Sequence, residues 1–180
     1  MATVCERITA LREKMKENGI TVYVVPSTDC HESEYVCPHY RARAYMTGFT
    51  GSAGTAVITM DKAGLWTDGR YFLQAEDQLR GTGIHLFRMG EPGVPTVEEY
   101  VKTELCAGGC VGFDGKTMGA VSADKFREST MEKCGSIQKR IWWEKSGRID
   151  HRFPMKRYGF WRSAGVVKVQ KVRLPKCGKL

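Results

Sequence analysis

The chain has 180 residues, 42% of them apolar and 27% charged. That is room for one ordinary domain with a real core, and the composition excludes a disordered chain. The formal net charge of +8 suggests nucleic acid at first sight, but its distribution argues otherwise. Residues 1–135 carry 15 basic against 18 acidic side chains, a net −3, while residues 136–180 carry 13 against 2, a net +11. No apolar run approaches the ~20 residues a membrane span requires. The charged start, Met1 to Gly19, lacks the apolar region of a signal peptide. The seven cysteines are therefore expected as reduced thiols in a cytoplasmic protein.

In chain order, Val4, Ile8, Leu11 and Met15 recur at helical spacing, which predicts an amphipathic helix over 3–18 closed by Gly19. Thr21–Val25 is a β-branched run ended by Pro26 and reads as a buried strand. Residues 27–40 are polar and irregular. A short helix follows over 41–46, and Gly48, Gly51 and Gly54 mark a turn. Thr55–Met60 and Leu65–Thr67 flank a turn and predict a hairpin.

Asp68-Gly69 is a further turn, and Tyr71–Leu79 reads as a helix. Ile84–Phe87 is a strand and Gly90–Pro95 a loop. Thr96 caps a helix that runs through Leu105, with Glu98 and Glu99 in its first turn. Val111–Phe113 is a strand, and a last helix runs from Ser122 or Ala123 to Cys134. This order predicts an α/β layer fold with a mixed central sheet flanked by helices.

Three compound motifs exceed generic α/β grammar. They are Pro26-Ser-Thr-Asp-Cys-His-Glu-Ser-Glu-Tyr35, Thr47-Gly-Phe-Thr-Gly-Ser-Ala-Gly-Thr55 and Trp66-Thr-Asp-Gly-Arg-Tyr-Phe-Leu-Gln-Ala75. Their order and spacing resemble the N-terminal domain of the aminopeptidase P and creatinase family, in its cytosolic Xaa-Pro aminopeptidase branch. The likeness runs from about Arg7 to about Ser136 and includes Gly112-Phe-Asp114.

The resemblance implies a ribonuclease H-like layer fold over residues 1–136. It also implies a parent enzyme of three domains that removes the N-terminal residue of a peptide whose second residue is proline. The catalytic domain of that family holds two metal ions, usually manganese, on carboxylates and a histidine. A bridging water loses its proton there to become the nucleophile. None of that apparatus is expected in this chain. The resemblance implies a non-catalytic domain that contributes to dimerisation and substrate access, with a homodimer partner or the family's catalytic domain as its partners.

In the resemblance, Arg70 reaches toward substrate, where a guanidinium can hold a carboxylate or carbonyl with directed donors. The structural reading is an arginine that pairs with Asp68 and organises its own turn. Asp29 and His31 are weaker substrate-facing candidates. With Ser33 and Glu34 they form a polar cluster that also reads as a self-bonded loop.

Cys30, His31, Cys37 and His39 lack a standard zinc spacing, and no metal site is assigned. The three glycines precede a strand rather than a helix, so close backbone approach is expected instead of phosphate binding. Ser52 has no nearby base pattern for a nucleophile. Tyr71, Phe72 and Leu73 read as core or interdomain packing.

Residues 137–180 form a basic tail that departs from the family text. Codons exist for Lys139–Leu180 that, read one nucleotide over, give K-N-L-V-G-E-I-W-K-N-R-P, which resembles the family's continuation. Trp142-Trp143-Glu144 forces Val-Gly in that frame. The expectation is a frameshifted, poorly ordered tail on a truncated enzyme. Two alternatives stand beside it: a free-standing interaction module, and nucleic-acid binding by a basic arm carrying Trp142, Trp143, Tyr158, Phe160 and Trp161.

Overall fold

The computed structural model describes residues 2–105, 109–130 and 136–139. Helix α1 (Val4–Glu17) starts at a capping box, where the Thr3 hydroxyl accepts from the Glu6 N–H and the Glu6 carboxylate accepts from the Thr3 N–H. Its buried Ile8, Leu11 and Met15 lie on one stripe. The remaining elements are β1 (Val22–Pro26), α2 (Ala42–Thr47), β2 (Thr55–Thr59), β3 (Ala63–Thr67), α3 (Phe72–Gln78), β4 (His85–Arg88), α4 (Val97–Glu104), β5 (Cys110–Phe113), α5 (Ala120–Thr130) and β6 (Ser136–Lys139).

The strands form one mixed sheet in the order β4-β3-β2-β1-β5-β6. The β1–β2 and β2–β3 pairs are antiparallel, as the predicted hairpin requires. The β3–β4, β1–β5 and β5–β6 pairs are parallel. Strand β1 changes the sense of the sheet, being antiparallel to β2 on one side and parallel to β5 on the other. Its continuous apolar run is buried because both faces of the sheet are covered.

Side chains alternate between two cores. Tyr23, Val25, Ile58 and Leu65 pack with α1 and the helices after it, while Val24, Val57 and Trp66 pack with Val101 of α4 and Phe126 of α5. In the second core, Trp66 stacks on Phe87 with ring centroids 4.0 Å apart and an interplanar angle of 4°. Gly64 makes room for this stack, since a Cβ there would stand 2.6 Å from the Phe87 ring.

Two elements differ from expectation. Helix α5 begins at Ala120, earlier than predicted, because Thr117 bonds back to the Asp114 carbonyl and Ala123 to the Gly119 carbonyl, closing the turn sooner. Strand β6 was not expected, and it runs across position 136, where the sequence places the domain boundary. Its backbone pairs Ser136–Lys139 with Cys110–Phe113. The basic-aromatic segment from residue 140 lies outside the described residues, as do the last predicted turns of α5. No helix among the described residues is long and apolar enough to cross a membrane.

Candidate functional site

Parallel pairing puts the carboxyl ends of β1, β5, β3 and β4 at one end of the sheet, where antiparallel β2 begins. The three motifs are the loops of this end. The first leaves β1, the second enters β2 and the third leaves β3.

Side chains of the first and third motifs bond to the second. The Ser27 hydroxyl donates to the Gly54 carbonyl. The Thr67 hydroxyl donates to the Ala53 carbonyl at 2.8 Å, and Ser52 Oγ lies 2.6 Å from the Tyr71 hydroxyl. On the far side, Thr28 donates to the Thr117 carbonyl at 2.7 Å.

The glycines serve close approach. Gly48 ends α2 with φ +77°. A Cβ on Gly51 would meet the Phe49 ring and stand 2.9 Å from Tyr71, and one on Gly54 would stand 2.7 Å from the Trp66 carbonyl oxygen. Sequence reasoning missed the residue that binds this loop together, Arg43. Buried at 4% exposure, its guanidinium donates to Ser27 Oγ, to the Phe49 carbonyl at 3.0 Å and to the Gly51 carbonyl. Burial pushes its pKa down to about 10, which still leaves it charged at neutral pH. The available signal was a cation among the inward positions of a short helix, beside Ala42, Met46 and Thr47.

Arg70 stands at the turn after β3 with a side chain 71% exposed. Its Nε donates to Asp68 Oδ1 at 2.9 Å and its Nη2 to Oδ2 at 2.8 Å, while its backbone N–H bonds Oδ1 at 3.0 Å. The fork-to-fork pair holds the Asp68 carboxyl below the usual carboxylate range, the Arg70 hydrogen bond being the main cause. The guanidinium also lies 5.3 Å from the centre of the Tyr71 ring. Asp68 thus orients the turn and its arginine together, leaving the outer face of the guanidinium open.

Asp29 is buried, while His31 is exposed. Burial raises the Asp29 pKa, but donors from Ser33 and His31 outweigh it and leave the carboxyl below its ordinary value. Its Oδ1 accepts from the N–H groups of His31 at 2.9 Å and Ser33 at 3.0 Å. Glu32, between them, adopts φ +55°, an uncommon conformation for a side chain of this length. No hydrogen bond or ion pair among the described residues joins Asp29 or His31 to Arg70. Leu73 is 84% exposed, so it is not a core residue.

No three His, Cys, Asp or Glu side chains among the described residues come together to hold a metal ion. The residues present therefore do not fit the two-metal centre implied by the resemblance, and no chemical step is derived through one.

The family model described as "Creatinase/Prolidase N-terminal domain" matches residues 7–143. The chain belongs to this family. Among curated relatives, the Arabidopsis thaliana protein named "Aminopeptidase P2" is 48% identical over 132 residues, covering 72% of this chain and 18% of the relative. A "Probable Xaa-Pro aminopeptidase P" of Neurospora crassa is 49% identical over 136 residues, covering 76% and 20%.

Among solved structures, an X-prolyl aminopeptidase of Caenorhabditis elegans, described as a cytosolic enzyme with a di-nuclear active site, aligns with a TM-score of 0.72 at 28% identity. The alignment covers 82% of this chain and 26% of that one. A creatinase/prolidase-like N-terminal domain from Corynebacterium diphtheriae shares the fold at 20% identity and a TM-score of 0.57, covering 77% and 98%. The chain is an N-terminal domain of the aminopeptidase P family, and it spans about a fifth of the length of the curated relatives it matches.

Proposed function

We propose that this domain serves, in a complete Xaa-Pro aminopeptidase-like metallopeptidase, to shape substrate access and to present Arg70 to a peptide with proline at its second position. The observation that carries this reading is the state of Arg70. It stands at the sheet end where the three motif loops are bonded to one another, oriented by Asp68 yet with most of its surface open. A guanidinium held in this way can grip a carboxylate or a peptide carbonyl without paying much conformational entropy.

Asp29 and His31 take supporting roles, Asp29 by fixing the loop and His31 by facing outward from it. Exposed Leu73, one helical turn from Arg70, suits contact with another domain or with a second copy in a dimer. The metal chemistry, with manganese as its ion, belongs to a catalytic domain outside this chain, and the setting is the cytoplasm. Incubating the chain with manganese and an Xaa-Pro peptide is expected to give no turnover. Hydrolysis by the purified chain would overturn the reading.

A further inference from the structure

A second feature lies on the opposite side of the β1 end from the Arg70 turn. A cleft of about 500 Å³ opens between the loop after β1, the start of α4 and the start of α5. This volume falls in the range of small-molecule sites. It also sits at the end of the sheet where β1 and β3 finish and β2 begins, the end at which ligands gather in α/β sheets. Its apolar lining includes Pro26, Trp66, Met118, Phe126 and half-exposed Met89.

The polar side of the cleft is one-signed. Glu32 and Glu98 line it, and no Lys, Arg or His does among the described residues. Glu32 is also positioned by construction. Its backbone takes the left-handed conformation, its carboxylate accepts from the Ser122 hydroxyl, and Gly119 supplies the space, since a Cβ there would stand 2.9 Å from Glu32 Cδ. The Ser122 hydrogen bond holds this one carboxylate at the rim. Glu98, at the start of α4, is exposed.

We propose that this cleft binds an organic cation, an alkyl- or arylalkylammonium whose apolar part lies against Met118 and Phe126 and whose ammonium is held by Glu32 and Glu98. The bland rival is that Glu32 only offsets the positive end of the α5 dipole. The two differ in what they predict for binding.

The test is calorimetric titration of the full 180-residue chain with phenethylammonium, its neutral analogue 2-phenylethanol and its anionic analogue 3-phenylpropionate. The ammonium is expected to bind about fivefold tighter than the alcohol, with added salt narrowing the gap. Glu98→Gln and Glu32→Gln are each expected to weaken the ammonium about threefold and leave the alcohol unchanged. Glu32→Gln keeps an oxygen for Ser122, and Glu98→Gln touches no bond that holds the fold, so at least one variant stays folded. Equal affinity for all three probes, no binding at millimolar concentration, or an ammonium affinity indifferent to both variants would each overturn the proposal. Loss of thermal stability in Glu32→Gln with unchanged binding would favour the dipole role and overturn it too.

Discussion

Arg43 lies over the ring of Phe49, 4.6 Å from its centre, and donates to the carbonyl of that same residue at 3.0 Å. One buried guanidinium thereby fixes both the side chain and the backbone at the start of the glycine loop. Replacing it with Met would strand the Phe49 and Gly51 carbonyls without donors. Arg43→Met is expected to destabilise the domain by about 3 kcal/mol. Arg43→Lys recovers only part of this, because an ammonium cannot reproduce the fork. Urea unfolding of the three proteins measures both effects.

Gly51 and Gly81 make a contrast in why a glycine is needed. At Gly51 the space is taken by Phe49 and Tyr71, whereas Gly81 needs only its positive φ of 76° and has nothing within 4 Å of a Cβ. Gly51→Ala should therefore cost about 2–3 kcal/mol through overpacking, and Gly81→Ala about 1 kcal/mol through backbone strain. Thermal midpoints should fall in that order. A larger loss at Gly81 would contradict the packing account of the loop.

Two groups set opposite limits on stability with pH. Asp29 titrates lower in the fold than in the unfolded chain, so its contribution is present above the ordinary carboxylate range and lost as pH falls through its folded value. Tyr23 is raised well above its usual value, first by burial and then by Asp114, so its contribution is intact below about pH 10 and lost as pH rises further. Asp29→Asn should flatten the acid limb and cost about 1 kcal/mol at neutral pH. Tyr23→Phe should ease the alkaline limb and leave the acid limb unchanged. Denaturant midpoints across pH 3 to 11 check both variants.

Much of the fold was legible because local chemistry and the tertiary result agree. Thr96 reads as a cap with acids behind it, and the structure has the full capping box with Glu99. Thr21–Val25 reads as a buried strand, and β1 is buried and central in the sheet. Arg43 was not legible, since helical spacing shows only that a position faces inward, not that three loop oxygens wait there. The placement of the Glu32 carboxylate was hidden for the same reason, because its partner Ser122 stands 90 residues away. Arg70 illustrates the remaining gap. Its motif points to Arg70 and to Asp68 as its partner, and the two are paired, but the group Arg70 is proposed to meet is not in this domain.

The abrupt change of charge after residue 135 has its own test. We propose that the text from about Gln138 onward is read in a shifted frame. The nucleotide sequence across codons 136–150, moved by one position, should then give K-N-L-V-G-E-I-W and remain open downstream. A stop codon or unrelated text in that frame would contradict this origin of the basic tail.

Arg70 is proposed to act on substrate from a domain without catalytic machinery. The direct measurement is kcat/KM on an Xaa-Pro peptide for a chimera joining residues 2–139 to the remaining domains of the Arabidopsis aminopeptidase P relative. The chimera is expected to be active, with kcat/KM falling roughly tenfold or more in Arg70→Ala and little recovery in Arg70→Lys. An active chimera whose kcat/KM is unchanged by Arg70→Ala would contradict this role.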